Sequence, residues 1–140
     1  MTKIKKKKEL KVISEGGILQ PLTAYRFRVI FSKPETLLMT QQVKNCSFNF
    51  VENEFRIQLR QPITKGMIST VNSLCNGYSS ITVDTMGGTN YPLFSIYLSH
   101  CKVIDHSFKL DYSDANIAVH NLVFKYSFLQ EIDPVKQKNN

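Results

Sequence analysis

Tryptophan is absent, cysteine occurs three times, and no apolar run comes near the roughly 18 residues that a membrane-crossing helix requires. The thiols, Cys46, Cys75 and Cys101, are odd in number and far apart in sequence. That spacing supplies neither a disulfide framework nor a zinc site, so reduced thiols in a cytoplasm-like compartment are expected. No G-x-x-x-x-G-K-[ST] or G-x-G-x-x-G segment occurs, and Gly87-Gly88 reads as a turn pair, not a phosphate loop. No serine sits in a nucleophile-elbow motif. Neither a catalytic residue, a metal site nor a cofactor is expected. The first residues, MTKIKKKKELK, are basic but no apolar segment follows them, so no secretory leader is expected.

Hydrophobic residues make up 42% of 140, enough for one domain with a real core. The net charge of +7 is unevenly placed. Lys3, Lys5, Lys6, Lys7, Lys8 and Lys11 crowd the N-terminus beside a single acid, Glu9, and the remainder of the chain is nearly neutral. Such a run suits a solvated arm, or an electrostatic contact with an acidic partner or nucleic acid. Lysines without interleaved aromatics can touch phosphate but cannot read bases. The expected division is a basic arm over residues 1–20, one domain over 21–133 and a polar tail over 134–140.

Within the domain, period-two alternation dominates. Tyr25, Phe27, Val29 and Phe31 alternate with Arg26 and Arg28. Residues 37–51 read as a second strand, with Cys46, Phe48 and Phe50 on one side. Phe55, Ile57 and Leu59 alternate with Arg56, Gln58 and Arg60, which predicts a hairpin about Asn53-Glu54. Pro62 ends that pairing. Met67, Ile68, Val71, Leu74 and Cys75 then fall on one helical face, with Thr64 as a capping residue and Gly77 as the stop. Ile81 and Val83 begin a further strand, Met86 to Asn90 supply a turn, and Phe94, Ile96 and Leu98 return. A bend or bulge is expected near Ser99–Cys101, where the alternation loses contrast. Last comes a long hairpin, Cys101 to Phe128, turning at Ser113 to Asn116. This order predicts an antiparallel β-barrel or sandwich of about seven strands with one flanking helix.

The return strand of that hairpin puts His120, Leu122, Phe124 and Tyr126 on one face. Ile117, Val119 and Val123 lie on the other, so both faces carry apolar residues. A strand of that kind is covered on both sides, by its own chain or by another subunit. These three residues, with Arg26 and Arg28 on the polar face of an earlier strand, are the candidate subunit interface. His106 and His120 can meet across the hairpin. Strand-borne histidines among phenylalanines read as hydrogen-bonded core residues, and an enzyme built on them is the weakest alternative. A small basic barrel that binds nucleic acid is the other, resting on the lysine arm.

The segments AYRFRVIF, VKNCSFNF, IQLRQP, ITVDTMGG and above all HSFKLDYSDANIAVHNLVFKY resemble, in that order, the tail-tube family of contractile-tailed bacteriophages. That family includes tube-initiating baseplate proteins and shares its fold with the type VI secretion tube protein. The resemblance covers about residues 22–130. It implies a small barrel with one flanking helix, six copies of which close into a ring. It further implies stacked rings, a lumen through which DNA passes without specific binding, other tail or baseplate proteins as partners, no membrane, and a place in the virion tail after assembly in the host cytoplasm. A type VI secretion tube is the alternative within the same fold. The family brings no catalytic residues. Arg26, Arg28, Arg56 and Arg60 depart from what a DNA-passing lumen favours, and intersubunit ion pairs are the expected use for them.

Overall fold

A single strand of 17 residues, β5 (Pro92–Phe108), is the spine on which two half-sheets are built. The computed structural model of the chain describes residues 26–32, 37–86, 92–113 and 115–133. The first half of β5 pairs with β4 (Ser79–Met86), which pairs in turn with β1 (Phe27–Phe31). From Lys102 onward β5 pairs with β6 (Val119–Lys125), followed by β3 (Glu54–Arg60) and β2 (Val43–Asn49). After a break at Tyr126-Ser127, β7 (Phe128–Ile132) runs on along the edge of β5 that β6 occupies, opposite Ser95–Ser99. All these pairings are antiparallel.

The bend between the half-sheets lies where contrast fades in the sequence. His100 adopts a left-handed φ of 54°, and the register slips between Val103 and Asp105, leaving Ile104 bulged and exposed. A bulge adds twist and turns the strand. The two half-sheets therefore enclose one core. Val29, Phe31, Ile81, Val83 and Leu98 come from one side, and Phe55, Ile57, Leu59, Leu122 and Phe124 from the other.

Two helices complete the core. Met67, Val71 and Leu74 of α2 (Met67–Leu74) are buried. Its N-cap is Gly66, not Thr64: at φ 113° the glycine takes a left-handed conformation that suits a residue without Cβ. Gly66 carbonyl accepts from Thr70 N and from the hydroxyls of Ser69 and Thr70. The helix ends at its C-cap, Cys75, and Gly77, expected as the stop, takes a left-handed φ of 77° in the turn two residues later. The other helix, α1 (Leu37–Gln42), replaces the start of the expected second strand. Its sequence, LLMTQQ, is rich in strong helix formers, and Met39 from it is fully buried. No helix among the described residues is long and apolar enough to cross a membrane.

The long hairpin is shorter than expected on its outgoing side. β5 ends at Phe108, and Leu110 and Tyr112 are exposed instead of continuing the buried face. The segment after β5 folds on Asp111, whose carboxylate accepts from Ser113 N at 3.0 Å and from its hydroxyl at 2.8 Å. Those bonds, the backbone one first, hold Asp111 below its ordinary pKa of 3.8. The lysine arm over residues 1–20, Gly87-Gly88, Asp114 and the tail over 134–140 lie outside the described residues.

Candidate functional site

Three surfaces and one buried cluster carry the chemistry of the fold. The first surface is the outward face of the half-sheet β2-β3-β6-β5. Alternation and register bring Asn45, Gln58, Asn121 and Ser107 into one row across four strands. Asn45 Nδ2 donates to Gln58 Oε1 at 2.9 Å, and Gln58 Nε2 donates to Asn121 Oδ1 at 2.7 Å. A shallow depression of about 300 Å³ lies over this row, bordered also by Ser47, Arg56 and Val123. Val123 faces outward as expected, yet is only 7% exposed. Arg56 and Asp105 stand directly beside it in register and shield it within the chain. Val119 is half-buried, and Ile117 is 64% exposed.

The arginines mostly find partners in their own chain. Arg28 Nη2 reaches Asp84 Oδ2 at 2.8 Å, and Nε reaches the same oxygen at 3.2 Å. Ser95 hydroxyl donates to Asp84 Oδ1 at 2.6 Å. Arg56 pairs with Glu54 at 3.0 Å, and Arg60 donates to the Val43 carbonyl at 3.3 Å. Arg26 is half-buried, and its carbonyl accepts from Met86 N. Asp84 sits at an outward position of ITVDTM but is only 5% exposed, so its carboxylate depends on Arg28 and Ser95. Replacing Arg28 with leucine is expected to cost about 1.5–3 kcal/mol, the usual worth of a hydrogen bond to a charged group. Urea denaturation of the variant measures this, and no loss would mean water serves Asp84 equally well.

The second surface is the loop end of that half-sheet. Ile63, Leu110, Tyr112 and Ile117 are all exposed there, and Gln61 N donates to Ala118 carbonyl to join the two segments. At the opposite end the β2–β3 turn exposes Phe50 and Val51. Asn53, at a left-handed φ of 56°, makes that turn. The third surface is a pair of strand edges. Among the described residues nothing pairs with the outer edge of β2, or with β5 beyond Lys102 on the side away from β6.

The buried cluster is the histidine pair. His106 Nε2 and His120 Nδ1 are 2.9 Å apart, and His120 Nε2 lies 2.6 Å from Gln61 Oε1. Phe108 stacks on His120 at 4.3 Å. Burial, and then the nearby His106, lower the pKa of His120 from its ordinary 6.5. Burial pushes the Cys46 and Cys101 thiols up to about 11, which leaves them protonated and poor nucleophiles. Among the described residues no three His, Cys, Asp or Glu side chains gather as a metal site.

The same fold occurs in solved structures of other proteins. The chain superposes on a chain of the sheath–tube complex of an extracellular contractile injection system, PVC, with a TM-score of 0.59 and 14% identity, over 86% of this chain and 97% of that one. It matches a component of the anti-feeding prophage (AFP) baseplate with a TM-score of 0.58 and 11% identity, over 83% and 98% of the two chains. The chain has a tail-tube-like fold. Hcp1 from Flavobacterium johnsoniae shows it too, with a TM-score of 0.53 and 9% identity, over 77% and 98%. No protein-family model and no curated protein matches the sequence. The tail-tube-like fold accounts for the mainly antiparallel architecture, while identities this low leave each surface to be argued from its own residues.

The amide row and the Asp84 cluster escape a sequence reading. Asn45, Gln58 and Asn121 are each an ordinary outward polar residue, and only the register makes them neighbours. Asp84 signals itself faintly, as the lone charged residue of its strand.

Proposed function

We infer that the chain is a structural subunit of a phage-type tail tube, or of its junction with the baseplate, and that six copies close into rings that stack around a channel. The observation that carries this is a pair of edges on one half-sheet with which no described residue pairs. Strands β2, β3, β6 and β5 alternate in direction. The β5 edge of one copy therefore meets the β2 edge of the next in antiparallel sense. Unpaired edges are templates for such pairing, and a repeated head-to-tail contact closes into a ring when the rotation allows. The number six follows the six-fold symmetry of the AFP baseplate that the fold resembles.

In a ring built this way the amide row faces the lumen. Its groups are uncharged, and Arg56 among them is paired with Glu54. Arg60, Lys102 and Lys125 share that face by register, so a passing polyanion would meet them through phosphate contacts that carry no base specificity and weaken with salt. The injection-system sheath–tube complex and Hcp1 among the similar structures favour a second reading, in which the tube belongs to a secretion device. The exposed apolar residues at the two ends of the half-sheet are then ring-to-ring contacts: Ile63, Leu110, Tyr112 and Ile117 on one side, Phe50 and Val51 on the other.

Sedimentation velocity of the purified full chain tests the reading. Species at the mass of six subunits and its multiples are expected. A chain that stays monomeric across the micromolar range, and instead binds DNA tightly, would move the basic nucleic-acid-binding barrel into first place.

A further inference from the structure

The histidine pair has a definite proton arrangement. Gln61 Nε2 donates to the Pro62 carbonyl at 2.9 Å, which turns Gln61 Oε1 toward His120 as an acceptor. His120 therefore carries its hydrogen on Nε2 and presents a bare Nδ1 to His106. His106 must donate from Nε2, which leaves its own Nδ1 as an acceptor, 4.0 Å from Cys75 Sγ. With both rings neutral the chain Cys75–His106–His120–Gln61 is complete, and one sense of donation runs along it.

We propose that this chain is an acid-released latch, which keeps its bonds with one added proton and breaks with two. The first proton has a place. On His106 Nδ1 it donates to Cys75 Sγ, whose own hydrogen can turn to the Val71 carbonyl at 3.4 Å. The second has none. On His120 Nδ1 it would set two N–H groups against each other across 2.9 Å, at a residue with no exposure to solvent.

The surroundings offer no relief. Against His120 stand Leu59 of β3 and Phe108 of β5, with Gln61 from the β3–α2 connector. Leu122 of β6 stands beside His106 in register, and Cys75 at the end of α2 meets the same ring. Arg56, Arg60, Asp105 and Lys125 alternate onto the opposite face of these strands, and Lys65 and Lys109 are exposed. Among the described residues no carboxylate bonds either ring. The lowered pKa of His120 has this origin: burial first, then its neighbour. The latch joins four elements, and the contact that the second proton breaks is the side-chain tie between β5 and β6. It is a property of the single chain and stands whether or not the chain forms tubes.

The sign follows from linkage. Below pH 6.5 the unfolded His120 binds a proton that the folded one refuses, so stability is complete above 6.5 and is lost as pH falls from there toward the lowered folded value. For one group the unfolding constant rises by up to about tenfold per pH unit. Two measurements on the full chain test the proposal. Long-range ¹H–¹⁵N spectra between pH 8 and pH 5 should show His120 with hydrogen on Nε2 and still neutral below pH 6.5. Urea denaturation over the same range should show the acid-dependent rise, and His120→Gln should remove it. If His120→Gln does not fold, the wild-type spectra decide alone. A hydrogen on His120 Nδ1, protonation at or above pH 6.5, or a folded variant with the wild-type acid slope would each overturn the latch.

Discussion

Phe124→Ala is expected to lose about 3–5 kcal/mol of folding stability, the usual cost of emptying a large buried aromatic site. Phe124 has no solvent exposure and stands in register between Phe55 of β3 and Val103 of β5. Its ring lies 6.2 Å from that of Phe55, which in turn lies 4.9 Å from Phe48 of β2. The cavity therefore opens beneath three strands of one half-sheet, where a rigid ladder cannot collapse into it. A domain of this size commands about 5–15 kcal/mol in all, so the variant should be marginally folded at body temperature. Urea denaturation gives the number. A loss below about 1 kcal/mol would mean that the rings repack freely and that the aromatic row does not organise the half-sheet.

The second large effect concerns assembly without folding. Ile117→Lys should leave the isolated chain as stable as the parent, within about 0.5 kcal/mol, because the side chain is 64% exposed. At a subunit contact the same lysine becomes an unpaired charge withdrawn from water, a penalty of about 2–5 kcal/mol, repeated at every contact in the assembly. Rings or stacks should be lost at concentrations where the parent forms them. Of the three residues expected on the outward face of the return strand, Ile117, just before β6, is the informative one, since Val123 is shielded by Arg56 and Asp105 and Val119 is half-buried. Melting temperature and sedimentation, measured on one preparation, separate the two effects. A lysine variant that assembles like the parent removes this loop end from the interface.

Alternation made most strands legible, because one face of each is buried and a one-residue slip would invert it. Phe55, Ile57 and Leu59 are buried as the pattern demands, and Arg56, Gln58 and Arg60 face out. Two elements were hidden for different reasons. The stretch LLMTQQ carries no period long enough to tell helix from strand, and its packing against β1, β3 and α2 decided the matter. The residues FLQEI of β7 have almost no buried face, so the strand owes its existence to the edge of β5. The overlong reading of β5 has a related cause. Leu110 and Tyr112 continue its alternation, but β6 begins at Val119, and no described strand stands opposite them.

Of the candidate site, the apolar outward residues and the meeting of His106 with His120 could be read from spacing. The amide row, the Arg28–Asp84–Ser95 cluster and the role of Gln61 could not, because each depends on residues far apart in sequence. Alternation says which way a side chain points. It does not say which strand stands beside it.

Single-particle imaging of the assembled full chain tests the central claim most directly, because it shows where each sheet edge goes. The account predicts six-fold rings in which β5 residues 102–108 of one copy run antiparallel beside β2 residues 43–49 of the next, with Gln58 and Asn121 facing the lumen. Rings whose β2 edge stands open to solvent, or particles that remain single subunits under all conditions, would contradict it.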